Sequence, residues 1–105
     1  QPTSPLALLR DIRALVGIDD QPVPSKFLVE QLTREPDSPW VACDWGNRLT
    51  PRGLAQRLAR FDLKPRVVYP PNTAPFRGYK AEALLTAFAR YLDDPVARTV
   101  LRREG

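Results

Sequence analysis

The residues with the clearest chemical meaning in this chain are basic, and one segment holds half of them. Between Trp45 and Lys80 there are eight basic residues and the single acid Asp62, a net charge of +7 over 36 residues, whereas the rest of the chain, with eight bases and eleven acids, sums to −3. The eight bases are Arg48, Arg52, Arg57, Arg60, Lys64, Arg66, Arg77 and Lys80. Positive charge clustered in this way is typical of a surface that binds a polyanion.

A short predicted helix, residues 51–61, lies at the centre of the basic segment. Thr50 is a good N-cap and Pro51 suits the first helical position. A helical wheel gathers the apolar residues on one side and an outward ridge on the other. The apolar residues are Leu54, Leu58 and Phe61, and the ridge is Arg52, Gln56 and Arg60, with Arg57 on a flank.

This ridge has the chemistry of a helix that reads the major groove of DNA. Arginine can bond the O6 and N7 atoms of guanine, and glutamine the N6 and N7 atoms of adenine. The N–H groups that follow Thr50 offer a place for a phosphate. Exposed arginine and glutamine are also common on any solvated helix, so the flanking charges decide in favour of nucleic acid. We expect phosphate contacts from Arg48, Arg57, Lys64, Arg66, Arg77 and Lys80.

The remaining elements follow from local start and stop signals. A first helix begins at Ser4-Pro5 and stops at Gly17, residues 22–24 are extended, and a second helix follows an N-cap at Ser25 and ends before Pro36. Strands are predicted over 66–69 and 76–79, joined by an uncharged, proline-rich loop, with helices over 81–92 and 96–103. The order is mainly α with a small β-hairpin (α+β), and it indicates a winged helix-turn-helix. We expect one domain over residues 1–105.

The aromatic residues have two interpretations. Trp40 and Trp45 could stack on unpaired bases, but anchoring their loop on the core is the commoner role of such tryptophans. Phe76 and Tyr79 are expected to pack in the core and sheet. The loop 70–75 carries no charge, so we expect a stiff connection and no deep reading of the minor groove by its tip.

Several kinds of chemistry are missing from the sequence. There is no histidine and one cysteine, Cys43, so we expect no catalysis, no metal site and no cofactor. The acid pairs Asp19-Asp20 and Asp93-Asp94 fit helix caps or solvated pairs. No apolar run suggests a membrane span, and the lone cysteine and absent signal peptide favour a cytoplasmic protein. Because the chain begins at Gln1 without methionine, we expect an excised C-terminal part of a larger protein.

Five stretches together resemble a family of unknown function found at the C-terminal end of plasmid- and phage-related proteins of primase/helicase type. They are LLRDIRAL (8–15), VPSKFLVEQL (23–32), PW (39–40), LTPRGLAQRLARFDLKPR (49–66) and GYKAEALLTAFARYL (78–92). The resemblance implies an accessory domain, winged-helix in fold, of a mobile-element replication protein. It transfers no functional residue, because none is defined for the family.

Three functions remain open at this point. The leading hypothesis is a module that binds duplex DNA. The second is a docking module within a replication assembly, which would use Trp40, Trp45, Phe76 or the proline-rich loop. The third is a single-strand or RNA binder that stacks bases on its aromatics.

Overall fold

The computed structural model describes residues 4–17, 21–43 and 46–104, and within them the chain is α+β, as predicted. The elements are α1 (Pro5–Val16), β1 (Val23–Pro24), α2 (Ser25–Leu32), α3 (Pro51–Leu58) with a 3-10 turn (Ala59–Phe61), β2 (Arg66–Val68), β3 (Phe76–Tyr79), α4 (Ala81–Tyr91) and α5 (Pro95–Glu104). None of the helices in these ranges is both long and apolar enough to span a bilayer. Trp45 and the pair Asp19-Asp20 lie outside the described residues.

The helix starts show which local signals operate. Ser4 Oγ accepts a hydrogen bond from Ala7 N at 3.1 Å, and Thr50 Oγ1 accepts one from Gly53 N at 3.0 Å, so both predicted caps are confirmed. The predicted cap at Ser25 is wrong. Pro24 is the cap residue and makes no side-chain bond, because it still pairs with Gly78 in the sheet. Ser25 is therefore the first helical residue, and it is buried.

The predicted hairpin is part of a larger sheet. β3 is the central strand, with β1 antiparallel on one side and β2 antiparallel on the other. A Cβ built on Gly78 would lie 2.2 Å from Val23 O, so only glycine lets β1 approach this closely. The sheet fixes the positions of β2 and β3, which carry Arg66 and Arg77 of the basic segment.

The core confirms the apolar stripe predicted for α3. Leu54 and Leu58 are fully buried and Phe61 nearly so, against leucines of α1, α2 and α4. Trp40 is 1% exposed, and its Nε1 donates to Asp11 Oδ2 at 2.7 Å. Its predicted role as a core anchor is therefore confirmed, and Leu49 N bonds to Trp40 O at 3.0 Å just ahead of α3.

Asp94 ties α5 to α1 and confirms one of the predicted caps. Its Oδ1 accepts from Val96 N at 3.0 Å and Ala97 N at 3.3 Å, and its Oδ2 accepts from Arg13 Nε at 2.6 Å. Burial alone would raise the pKa of Asp94, but the hydrogen bonds from Arg13, Ala97 and Val96 and the Arg13 charge together lower that pKa below its usual value. The carboxylate is thus held in its charged form.

Candidate nucleic-acid interface

The outward ridge of α3 is solvent-exposed. Arg52 and Gln56 are exposed on the helix, and Arg60 is exposed on the 3-10 turn that extends it. The cap at Thr50 and the apolar stripe fix this rotation, because burying Leu54 and Leu58 turns positions 52, 56 and 60 outward. The three side chains can therefore meet a partner without rearrangement of the helix.

The cations of the basic segment are free of acids in the part of the chain that the structure describes. The three ion pairs among the described residues use the cations Arg13, Arg90 and Arg98. None of these three cations belongs to the basic segment, although its acid, Asp62, pairs with Arg90. Seven of the eight basic residues of the segment are also exposed, namely Arg48, Arg52, Arg60, Lys64, Arg66, Arg77 and Lys80. Their positive potential is therefore available to an anion.

Arg57 differs from the other seven because its guanidinium bonds the protein itself. Its Nη2 lies 3.3 Å from Cys43 O and its Nη1 lies 3.4 Å from Gly53 O, and the residue is only partly exposed. Folding back over Gly53, it ties α3 to the preceding loop. Gly53 is buried in α3.

The start of α3 offers fewer free N–H groups than the sequence suggests. Thr50 Oγ1 already accepts from Gly53 N, Leu54 N bonds to Thr50 O at 2.8 Å, and Pro51 has no N–H. Among the described residues this leaves the Arg52 N–H as the unbonded donor of the first turn. A phosphate there would meet one backbone donor and the Arg52 side chain.

The hairpin separates Arg66 from Arg77, and it brings Arg66 together with two of the other cations predicted to bind phosphate. Arg66 pairs with Gly78 and Arg77 with Val67, so the two arginines point to opposite faces of the sheet. Arg66 instead joins Lys64 and Lys80 around a pocket of about 200 Å³. Since Lys80 follows β3, these cations meet only because the sheet returns the chain beside the end of α3.

The loop 70–75 is exposed for most of its length, and Tyr69 at its base is 76% exposed. Val67 on β2 is 49% exposed. Tyr79 on β3 is buried, as predicted, and Phe76 is partly buried. Among the described residues, no three or more His, Cys, Asp or Glu side chains are grouped so that they could hold a metal ion.

The Tyr79 hydroxyl is a polar group within the core. Burial raises the pKa of Tyr79 to about 12, partly opposed by the Ser25 hydroxyl and the Arg77 charge. Neither the Tyr79 nor the Ser25 hydroxyl makes a hydrogen bond of good geometry within the described residues. Tyr79 therefore anchors β3 by packing, with its hydroxyl as a cost to stability.

Sequence reasoning did not identify the α4 residues beside this basic pocket. Thr86, Arg90 and Tyr91 line a second pocket that adjoins it. Their spacing on α4 indicates only a helix, because nothing local shows that α4 runs past the end of α3. The apolar periodicity of α4 accounts for its buried face alone.

Comparison with known proteins gives one family. The family described as "Protein of unknown function (DUF3631)" matches residues 1–91, which include the whole basic segment and end at the last residue of α4. No curated protein and no solved structure matches the chain.

Proposed function

The chain belongs to the DUF3631 family of proteins of unknown function, and we propose that it is a module that binds duplex DNA. The observation that carries the proposal is the set of seven exposed cations without acid partners around α3 and the hairpin, within the residues that the structure describes. Their charges favour phosphates, which supply most sequence-independent affinity for DNA. The role is one of binding, with no chemical step in this chain.

The element order supports a winged-helix interpretation of the fold. α1, β1, α2, α3, β2 and β3 follow in that order, and the three strands form one antiparallel sheet. In such an arrangement α3 is the recognition helix and the loop 70–75 is the wing. Arg52, Gln56 and Arg60 would then face base edges in the major groove.

The phosphate contacts divide by position. Arg48 precedes α3, whereas Lys64, Arg66 and Lys80 gather beyond its other end. These four can follow the backbone on the two sides of a groove occupied by α3. Arg77, on the opposite face of the hairpin, and Arg57, bonded to two carbonyl groups, contribute less to this surface.

The structure weakens the alternatives that depend on Trp40. A side chain that is 1% exposed and bonded to Asp11 neither stacks on a base nor docks a partner without local unfolding. Phe76 and the proline-rich loop remain for the docking alternative. The larger context, a replication protein of a mobile element, is supported by the sequence resemblance alone.

The test is fluorescence anisotropy of a labelled random-sequence duplex titrated with the protein at several salt concentrations. If Arg48, Lys64, Arg66 and Lys80 each neutralise one phosphate, log K should fall against log salt with a slope of about −3.6, since each contact contributes about 0.9. A matched single strand should bind more weakly. Absence of duplex binding at low salt would reject the proposal.

A further inference from the structure

Two neighbouring pockets lie between the end of α3 and the face of α4. The smaller, of about 200 Å³, is the one bounded by Lys64, Arg66 and Lys80. The larger, of about 280 Å³, shares Asp62, Lys80 and Ala83 with it and continues along α4 past Thr86 to Tyr91. Because they share these three lining residues, the two pockets lie side by side, and we call the pair the α4 groove.

One end of the α4 groove is basic. Lys64, Arg66 and Lys80 have no acid partner in the described part of the chain. The nearby acid Asp62 is directed to Arg90, with Oδ2 3.9 Å from Nη1, and both side chains are largely exposed, so this pair is weak and breaks easily. Three cations around one concavity suit a phosphate group.

The other end of the α4 groove is aromatic and apolar, with a polar rim. Phe61 and Tyr91 pack edge to face with ring centroids 4.8 Å apart, and Ala87 lies in the same wall. Glu82 and Thr86 line the rim. A flat ring with apolar faces and amino groups on its edge matches this wall and this acid.

We infer that the α4 groove binds a nucleotide, with its phosphate among Lys64, Arg66 and Lys80 and its base against the partly exposed ring of Tyr91, which packs on the buried Phe61. The two halves of the ligand thus match the two adjoining pockets of the groove. The proposed nucleotide site shares Lys64, Arg66 and Lys80 with the proposed duplex surface, but it needs no contact from Arg52 or Gln56. Free nucleotides and an unpaired nucleotide of a nucleic-acid strand offer the same chemistry.

The base end is tested by filling it without changing any charge. Thr86 is exposed and its Oγ1 donates to Glu82 O at 2.8 Å, so Thr86→Phe should keep the helix while placing a ring in the groove. Thr99→Phe is the matched control, because Thr99 is also exposed and donates to the carbonyl four residues earlier, Pro95 O, at 2.9 Å.

The measurement is titration by ¹⁵N-¹H NMR with adenosine 5′-monophosphate, inorganic phosphate and adenosine. We expect the monophosphate to bind about tenfold more tightly than phosphate, since stacking a base on an aromatic surface contributes about this much. Thr86→Phe should remove that advantage but leave phosphate binding, and Thr99→Phe should change neither. Lys80→Ala should weaken both ligands, whereas Lys26→Ala, an exposed lysine on α2, should not.

The source of the nucleotide is decided by two duplexes, one blunt and one with a single-stranded overhang. If the groove serves a strand end, the overhang should bind more tightly than the blunt duplex, and Thr86→Phe should remove only that difference. If it serves free nucleotides, the two duplexes should bind alike.

The inference is overturned if the monophosphate binds no more tightly than phosphate, or if Thr99→Phe acts as strongly as Thr86→Phe. Neither result depends on α3. Failure of the duplex proposal is seen separately, as the absence of blunt-duplex binding by the unchanged protein.

Discussion

Replacement of Gly78 by alanine should detach β1 from the sheet. A Cβ at this position would lie 2.2 Å from Val23 O, 2.8 Å from Pro24 Cα and 2.9 Å from Val23 C. All three are backbone atoms of β1, so no side-chain rotation relieves the overlap. The strand must move as a whole, together with Val23, which is 9% exposed.

The expected decrease in the free energy of unfolding is about 3 kcal/mol or more. Overpacking usually costs about 1–3 kcal/mol where side chains can adjust, and here the overlap is with backbone. Exposing the Val23 side chain would instead cost about 1.5–3 kcal/mol. Either outcome is a large part of the roughly 5–15 kcal/mol that stabilises a typical domain.

The assay is urea unfolding followed by tryptophan fluorescence and circular dichroism, with Gly53→Ala as the matched control. A Cβ on Gly53 would meet the ends of side chains, Thr50 Oγ1 at 3.3 Å and Arg57 Nη1 at 3.4 Å. Helix propensity favours alanine there by about 1 kcal/mol, so the two effects should nearly cancel. If Gly78→Ala cost less than about 1 kcal/mol, the close approach of β1 and β3 would be refuted.

Three further changes test the packing that supports the site, each by the same unfolding assay. Asp94→Asn should cost about 1–3 kcal/mol at neutral pH through its weakened bonds to Arg13 and to two backbone N–H groups. Because the pKa of Asp94 is lowered on folding, its contribution is present above the usual value of 3.8 and disappears as pH falls through the folded value. The cost should therefore shrink in acid, and an equal cost at all pH would contradict the ion pair. Tyr79→Phe should stabilise the fold by about 1 kcal/mol or more, since a buried unpaired hydroxyl costs about 1–3 kcal/mol, and a decrease in stability would show that the hydroxyl is bonded. Trp40→Phe should cost at least about 2 kcal/mol, because it removes a bond to the Asp11 carboxylate and leaves a cavity, whereas no change would refute its anchoring role.

Local signals predicted the helices well. Ser4 and Thr50 each cap the following helix through a side-chain oxygen, and Leu54 and Leu58 turn one face of α3 inward. These features depend on residues within about one turn of each other, so the sequence pattern is sufficient to show them.

Contacts between residues that are distant in the sequence could not be predicted from local signals. β1 is two residues long and acquires its role from β3, more than 50 positions away, and this pairing moves the cap of α2 from Ser25 to Pro24. The inward turn of Arg57 depends on Cys43 O. The meeting of Arg66 with Lys80 depends on the register of β2 against β3, which the sequence does not define.

Charge counting predicted the basic segment, but it did not predict how its cations are distributed over different faces of the fold. Exposure of Arg52, Gln56 and Arg60 follows from the helical period. That Arg66 and Arg77 lie on opposite faces follows from the alternation of strands once the register is known. We propose, and the sequence does not show, how these cations lie against a duplex.

In our proposal, the position of the cations, and not the net charge, makes the basic surface a DNA surface. The most direct test compares Arg52→Ala/Arg60→Ala with Arg10→Ala/Arg34→Ala in duplex binding at one salt concentration. All four arginines are exposed and without ion pairs in the described part of the chain, and both double variants remove two charges. We predict that the first double variant weakens binding by about 1–3 kcal/mol for each bidentate arginine–base pair that it eliminates and that the second changes binding little. Equal weakening by both variants, or no weakening by the first, would contradict the proposal.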